Sequence, residues 1–179
     1  MIHSTFLDTE IGKIVIEADE KAVIRLGFSG EKERKAGFGS DLSAAGLEKQ
    51  ADEVPGVWTK SVLLEQAVRE LLEYLNGQRK RFEVPLSPKG TPFQEKVWEE
   101  LCQIPYGEVS TYGELAVRIG NPKGARAVGM ALNRNPIMIM VPCHRIIGKD
   151  GSLTGFGGGL FAKKYLLSLE KSDKFLKKQ

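Results

Sequence analysis

The segment PLSPKGTP, residues 85–92, constrains this chain more than any other stretch. Its three prolines lack backbone donors and bias the residues before them away from helical space, and its one glycine loosens what remains. Neither a helix nor a central strand runs through such a segment. It is read as a boundary between an N-terminal α/β domain, residues 1–84, and a C-terminal domain, residues 85–172, with a basic tail at 173–179.

The two sides of the boundary differ in periodicity. Residues 11–28, IGKIVIEADEKAVIRLGF, alternate: Ile14, Ile16 and Ala18 share one face, then Ala22, Ile24, Leu26 and Phe28 follow the polar turn Asp19-Glu20-Lys21. This predicts a hairpin. Residues 29–56 are polar and contain glycine, which predicts loops with at most a short strand or helix. From Lys60 to Asn76 the residues Leu64, Ala67, Val68, Leu71 and Leu75 recur at helical spacing, and Asn76-Gly77 supplies a left-handed stop. The first half is thus a small sheet with one helix packed on it.

Beyond the boundary the pattern is helical. Phe93, Val97 and Leu101, beside Trp98, predict a helix that opens at Thr91-Pro92 and ends before Pro105. Pro105-Tyr106-Gly107 is a turn, and Thr111-Tyr112-Gly113-Glu114 fits a capping box for a short helix to about Ile119. The turn Gly120-Asn121-Pro122 breaks it, and residues 123–133 resume helical spacing. Two short helices across a tight turn are a helix-turn-helix candidate. On the second, Val128, Ala131 and Leu132 can face inward, which leaves Arg126, Gly129, Met130 and Asn133 on another face near Ala125 and Ala127. The small residues permit close approach, either of a partner or of a neighbouring helix.

The net charge of +3 hides an asymmetry. Residues 1–80 carry 11 Lys/Arg against 14 Asp/Glu and the rest carry 15 against 9, a net −3 against +6. A basic second half suits a polyanion such as nucleic acid, although the lysines of KSDKFLKKQ contribute part of it. The longest apolar run, Ile137 to Val141, is far short of the roughly 20 residues of a membrane span, and MIHSTFLDTE lacks a basic-then-apolar signal layout. The expectation is a cytoplasmic protein with no membrane partner, in which Cys102 and Cys143 are free thiols.

Cys143 sits in VPCHRII, residues 141–147, where it is a metal ligand, a nucleophile or an inert buried thiol. Zinc sites use about four ligands at characteristic spacing, and two distant cysteines with His3 and His144 do not supply them, so no metal is expected. A nucleophile needs a partner that holds the thiolate. His144 is adjacent, but neighbours on an extended segment point to opposite sides, so a water or a bend would have to connect them, and the histidine would want a carboxylate. The residues alone leave nucleophile and structural thiol both open.

PCHR at 142–145, preceded by Asn135-Pro136 and the apolar strand Ile137 to Val141, resembles the active-site signature of the O6-alkylguanine-DNA alkyltransferases, the methylated-DNA-[protein]-cysteine S-methyltransferases. TPFQEKVWEELCQIPYGEVSTYGELA, GNPKGARAVGMALNRNP, VPCHRIIGKDGSLTGFGGGL and KKYLLSLE resemble that family in order and spacing over roughly residues 90–170. The resemblance implies an α+β chain, with a ribonuclease-H-like sheet-plus-helix domain followed by a mostly helical winged helix-turn-helix domain. It implies a monomeric suicide repair protein that acts on double-stranded DNA, takes an alkyl group from O6-alkylguanine, and from O4-alkylthymine, onto Cys143, and needs no cofactor. His144 would relay the proton through a water, Glu170 would orient the histidine, and Asn135 would brace the turn before the cysteine. Tyr112 would donate to a flipped base, and Arg126 would enter the duplex in its place, on a minor-groove helix lined by Ala125, Ala127 and Gly129. Val141, Met138, Phe156, Gly157 and Gly158 would form the base pocket, Phe156 standing where some members have tyrosine. The glycines at 157–159 would make that loop permissive enough for larger alkyl groups. Three rivals stand beside this reading: an alkyltransferase-like lesion sensor that performs no transfer, a cysteine hydrolase, and a plain winged-helix regulator.

Overall fold

The computed structural model describes residues 1–29 and 61–171. The loops expected from residue 30 onward and the basic tail lie outside the described residues. Three antiparallel strands form a meander: β1 (His3–Thr9), β2 (Gly12–Ala18) and β3 (Val23–Phe28), in the order β1-β2-β3. The hairpin read from the alternation is β2 with β3; its turn is held by the Asp19 carboxylate, which accepts from the amides of Lys21 and Ala22 at 2.7 and 2.8 Å. β1 carries no comparable signal, because only Leu7 on it is buried. A register shift at Glu17/Ala18 pairs Ala18 with Val23, so Val23 is fully buried while Ile24, expected on the inner face, is only half-buried.

The first helix, α1 (Val62–Leu75), starts at the Ser61 cap and buries Leu64, Ala67, Val68, Leu71 and Tyr74, packing mainly against β2. It ends as the sequence predicts: Gly77 adopts φ +72°, and the amides of Gly77 and Gln78 donate to the carbonyls of Tyr74 and Glu73.

The second half is helical. α2 (Pro92–Cys102) has a capping box between Thr91 and Gln94 and buries Val97, Trp98 and Leu101; α3 (Tyr112–Arg118) has the expected box between Thr111 and Glu114. After Gly120, at φ +77°, α4 (Ala125–Asn133) begins two residues later than the hydrophobic pattern suggests and buries Val128, Ala131 and Leu132. The Trp98 indole donates to the Ala131 carbonyl at 2.9 Å, which fixes α4 across α2. The short strands β4 (Ser110–Thr111) and β5 (Ile146–Ile147) pair in parallel, and α5 (Gly159–Leu169) closes the described chain.

The two halves share one core. Val23 exchanges backbone hydrogen bonds with Pro85 and Ser87, and Leu26 does so with Pro136 and Met138, so β3 is clasped by the chain on both sides of α2–α4. Ile14, Leu26 and Leu71 therefore belong to the same buried cluster as Trp98, Leu115, Val128 and Leu166. Each such side chain contributes about 1.5–3 kcal/mol when fully buried. Among the described residues no helix is long and apolar enough to cross a membrane.

Candidate active site

Residues 137–141, expected as an apolar strand, are instead a tight turn bounded by bridges between Leu26 and Ile137 and between Met138 and Val141. At its tip Ile139 is fully buried with φ +71°, a left-handed conformation that costs a β-branched residue about 1–3 kcal/mol. Burial of the side chain offsets that strain, and Asn135 locks it. The Asn135 Oδ1 accepts from the Ile137 amide at 3.0 Å, while Nδ2 donates to the Val141 carbonyl at 2.9 Å and lies 3.2 Å from the Cys143 Sγ. One buried amide therefore holds both ends of the turn and touches the thiol.

The chain then bends rather than extends, because Cys143–Arg145 is a 3₁₀ turn. Cys143 and His144 are both buried. Burial pushes the Cys143 thiol up, against the opposing pull of the Asn135 amide and the Lys163 charge. The His144 Nε2 lies 2.9 Å from the Glu170 Oε1. Burial pushes this imidazole down and the carboxylate only partly offsets it, so His144 is neutral at neutral pH.

Glu170, at the C-cap of α5, collects donors. Arg145 reaches it through Nε and Nη2 at 3.0 and 2.8 Å, the Tyr74 hydroxyl donates at 2.5 Å and the Gly107 amide at 3.1 Å. Burial alone would raise its carboxyl, but His144 and Arg145 outweigh that and hold it well below the usual range. An ionised Glu170 fixes the histidine tautomer: Nε2 carries the proton, and Nδ1 keeps its lone pair. Among the buried side-chain nitrogens and oxygens of the described residues, Nδ1 of His144 is the one without a hydrogen-bond partner.

The surrounding wall comes from the loop between β5 and α5. Phe156 stands edge-on between the rings of His144 and Phe28, at 6.4 and 6.1 Å between centroids. A Cβ at Gly157 would strike Met138, and one at Gly158 would strike Phe28, so these two glycines are spaces already filled by neighbours rather than slack in the loop. Lys163, fully buried, ties this loop to β5 by donating to the carbonyls of Ile146 and Thr154 at 2.5 and 2.7 Å; burial lowers its pKa to about 8. The Thr154 hydroxyl donates to Tyr112 at 3.0 Å, and the Tyr112 ring lies over Gly129 of α4.

Cys143, His144, Glu170 and Asn135 are thus together, with Val141, Met138, Phe156, Gly157 and Gly158 around them. Tyr112 joins them through Thr154. Arg126 lies on the exposed face of α4, beside half-buried Ala125 and Ala127, and among the described residues no hydrogen bond links it to the cluster. A cavity of about 630 Å³ between the end of α2 and α3, lined by Ile104, Pro105, Val109 and Val117, is a different place and holds none of this chemistry. Sequence reasoning missed Tyr74, Arg145 and Lys163. A hydroxyl on the core stripe of α1 and a charge among the apolar positions of α5 are the signals that mark two of them.

The chain is similar to known proteins over nearly its whole length. Residues 2–88 match the model of the 6-O-methylguanine DNA methyltransferase ribonuclease-like domain, and residues 92–172 match that of the DNA binding domain of the same family. The methylated-DNA–protein-cysteine methyltransferase of Methanosarcina barkeri is 42% identical over 173 residues, covering 96% of this chain and 99% of that one. Its Haemophilus influenzae counterpart is 46% identical over 172 residues, covering 95% and 87%. The crystal structure of the Mycobacterium tuberculosis O6-methylguanine methyltransferase superposes with a TM-score of 0.75 at 39% identity, covering 96% of this chain and 94% of that one, and the same organism's protein has been crystallised in complex with DNA. With both halves matched and about two-fifths of its residues shared with such relatives, the chain belongs to the 6-O-methylguanine DNA methyltransferase family.

Proposed function

We propose that the protein repairs double-stranded DNA by moving the alkyl group of O6-alkylguanine, and of O4-alkylthymine, onto Cys143, once per molecule. The observation that carries this reading is the pair formed by a buried thiol held at 3.2 Å by Asn135 and a neighbouring neutral histidine whose Nδ1 is unpartnered while its Nε2 is locked by Glu170. A thiol raised by burial is protonated at neutral pH and needs a base to become nucleophilic; a histidine lowered by burial is free to be that base. Nδ1 takes the thiol proton through a bridging water, and Glu170 stabilises the resulting imidazolium.

The Cys143 sulfur pair then forms the S–C bond as the C–O6 bond breaks, and the electrons of that bond go to the base. O6-alkylguanine lacks a proton at N1 and guanine has one, so the proton released by the thiol balances the product. The thioether offers no leaving group at neutral pH, hence one turnover. The target atom is out of reach inside the stack, so the base is extruded at a cost of a few kcal/mol, which Arg126 offsets by entering the duplex. Tyr112 donates to the base, Ala125, Ala127 and Gly129 let α4 approach the minor groove, and Val141, Met138, Phe156, Gly157 and Gly158 line the pocket. The protein acts as a monomer in this reading, and the reaction belongs in the cytoplasm with its DNA substrate.

Intact-protein mass spectrometry after incubation with a duplex carrying O6-methylguanine tests this. One added methyl per protein, mapped to Cys143 and absent from Cys143→Ala, is the expected result. No mass change alongside lesion-selective binding would replace the proposal with the lesion-sensor reading.

A further inference from the structure

We infer that Tyr74, carried by α1 in the N-terminal half, is a positioning residue for the transfer: its hydroxyl fixes the Glu170 carboxylate and, through it, the His144 ring. The inference rests on the alkyl-transfer reading of Cys143 and His144. Tyr74 is fully buried 96 residues before Glu170, yet its hydroxyl donates to Oε1 at 2.5 Å, the short range of a charge-assisted O–H···O⁻ bond. That oxygen is the one His144 Nε2 meets at 2.9 Å, and the Tyr74 oxygen is itself 3.4 Å from Nε2. Burial and the Glu170 charge push the phenol well above its usual range, so it stays a donor.

The ring is held independently of the hydroxyl, against Phe82 at 5.1 Å and edge-on to Tyr106 at 6.0 Å. Tyr74→Phe therefore keeps the packing and leaves Oε1 with His144 and Arg145 as donors. With one donor gone, more of the carboxylate's negative charge falls on His144, and the imidazolium becomes easier to form. The neutral base is then lost at a higher pH. The first half of the chain supplies part of the relay, not only a support for it.

The test measures single-turnover methyl transfer from an O6-methylguanine duplex against pH, for wild type, Tyr74→Phe and Phe82→Leu as full-length proteins. Tyr74→Phe should move the acid limb up by roughly half a pH unit or more, which slows transfer about 2-fold or more at the wild-type midpoint. Phe82→Leu should lower the melting temperature and leave the limb in place. A Tyr74→Phe limb that coincides with wild type overturns the inference. A wild type that transfers no methyl overturns the alkyl-transfer reading itself; in that case nitrogen-15 NMR of His144 still decides the positioning claim, since its titration midpoint must rise in Tyr74→Phe. Should that variant not fold, the wild-type spectrum decides: a slowly exchanging, downfield Tyr74 hydroxyl proton close to the His144 ring is required, and its absence sinks the claim.

Discussion

Arg145 stands inside the PCHR signature, but its structural work is to neutralise a buried carboxylate. It is about nine-tenths buried, reaches Glu170 through two nitrogens, and gives its Nη1 to the Ile104 carbonyl at 2.6 Å. Arg145→Met keeps most of the apolar stem and removes the charge. Breaking a buried ion pair from one side costs about 3–5 kcal/mol, because the remaining charge stays buried without its counter-ion. For a chain of this size each kcal/mol lowers the melting temperature by about 2–4 °C, so the loss at neutral pH should be about 6–20 °C. The sign of the pH dependence follows from Glu170. Its folded carboxyl is held below the unfolded value of 4.5, so the stability it supplies is fully present above that pH and disappears as pH falls through the depressed folded value. Arg145 is one source of that depression. The gap between wild type and variant, read by thermal unfolding monitored by circular dichroism, should therefore be full at neutral pH and narrow below about pH 4.5. A gap under about 3 °C at neutral pH, or one of constant size down to about pH 3, would refute the assignment of Arg145 and Glu170 as a stabilising buried pair.

Two other substitutions probe the walls of the site. Asn135→Ala removes the bonds to Ile137, Val141 and Cys143 together, and should cost about 2–4 kcal/mol in denaturant unfolding and slow methyl transfer about 100-fold or more. If transfer is unchanged, the amide is a structural brace only. Gly158→Ala should cost about 1–3 kcal/mol by overpacking against Phe28, and a double-mutant cycle with Phe28→Ala should show the pair less damaging than the sum of the singles. Strict additivity would mean that the alanine meets something else.

Much of this protein is written locally. The span of α1, the capping box that starts α3 and the inward face of α4 follow from cap and period rules, which act over a few residues. The basic second half is legible in the same way, whereas Cys143 and the group of residues near it were marked only through the family resemblance. What the sequence could not show was geometry set by contacts between distant segments. The stretch from Ile137 to Val141 has the composition of a strand, yet β3 takes one end of it, Asn135 takes the other, and it folds back through a left-handed Ile139. Val23 replaces Ile24 on the inner face because of one register shift. Tyr74 gains its carboxylate partner only when α5 brings Glu170 to its hydroxyl, and Arg145 finds its counter-ion in the same carboxylate. Backbone propensities and apolar period are short-range and survive in the sequence; a buried carboxylate with donors from three distant segments exists only once the core has closed around it.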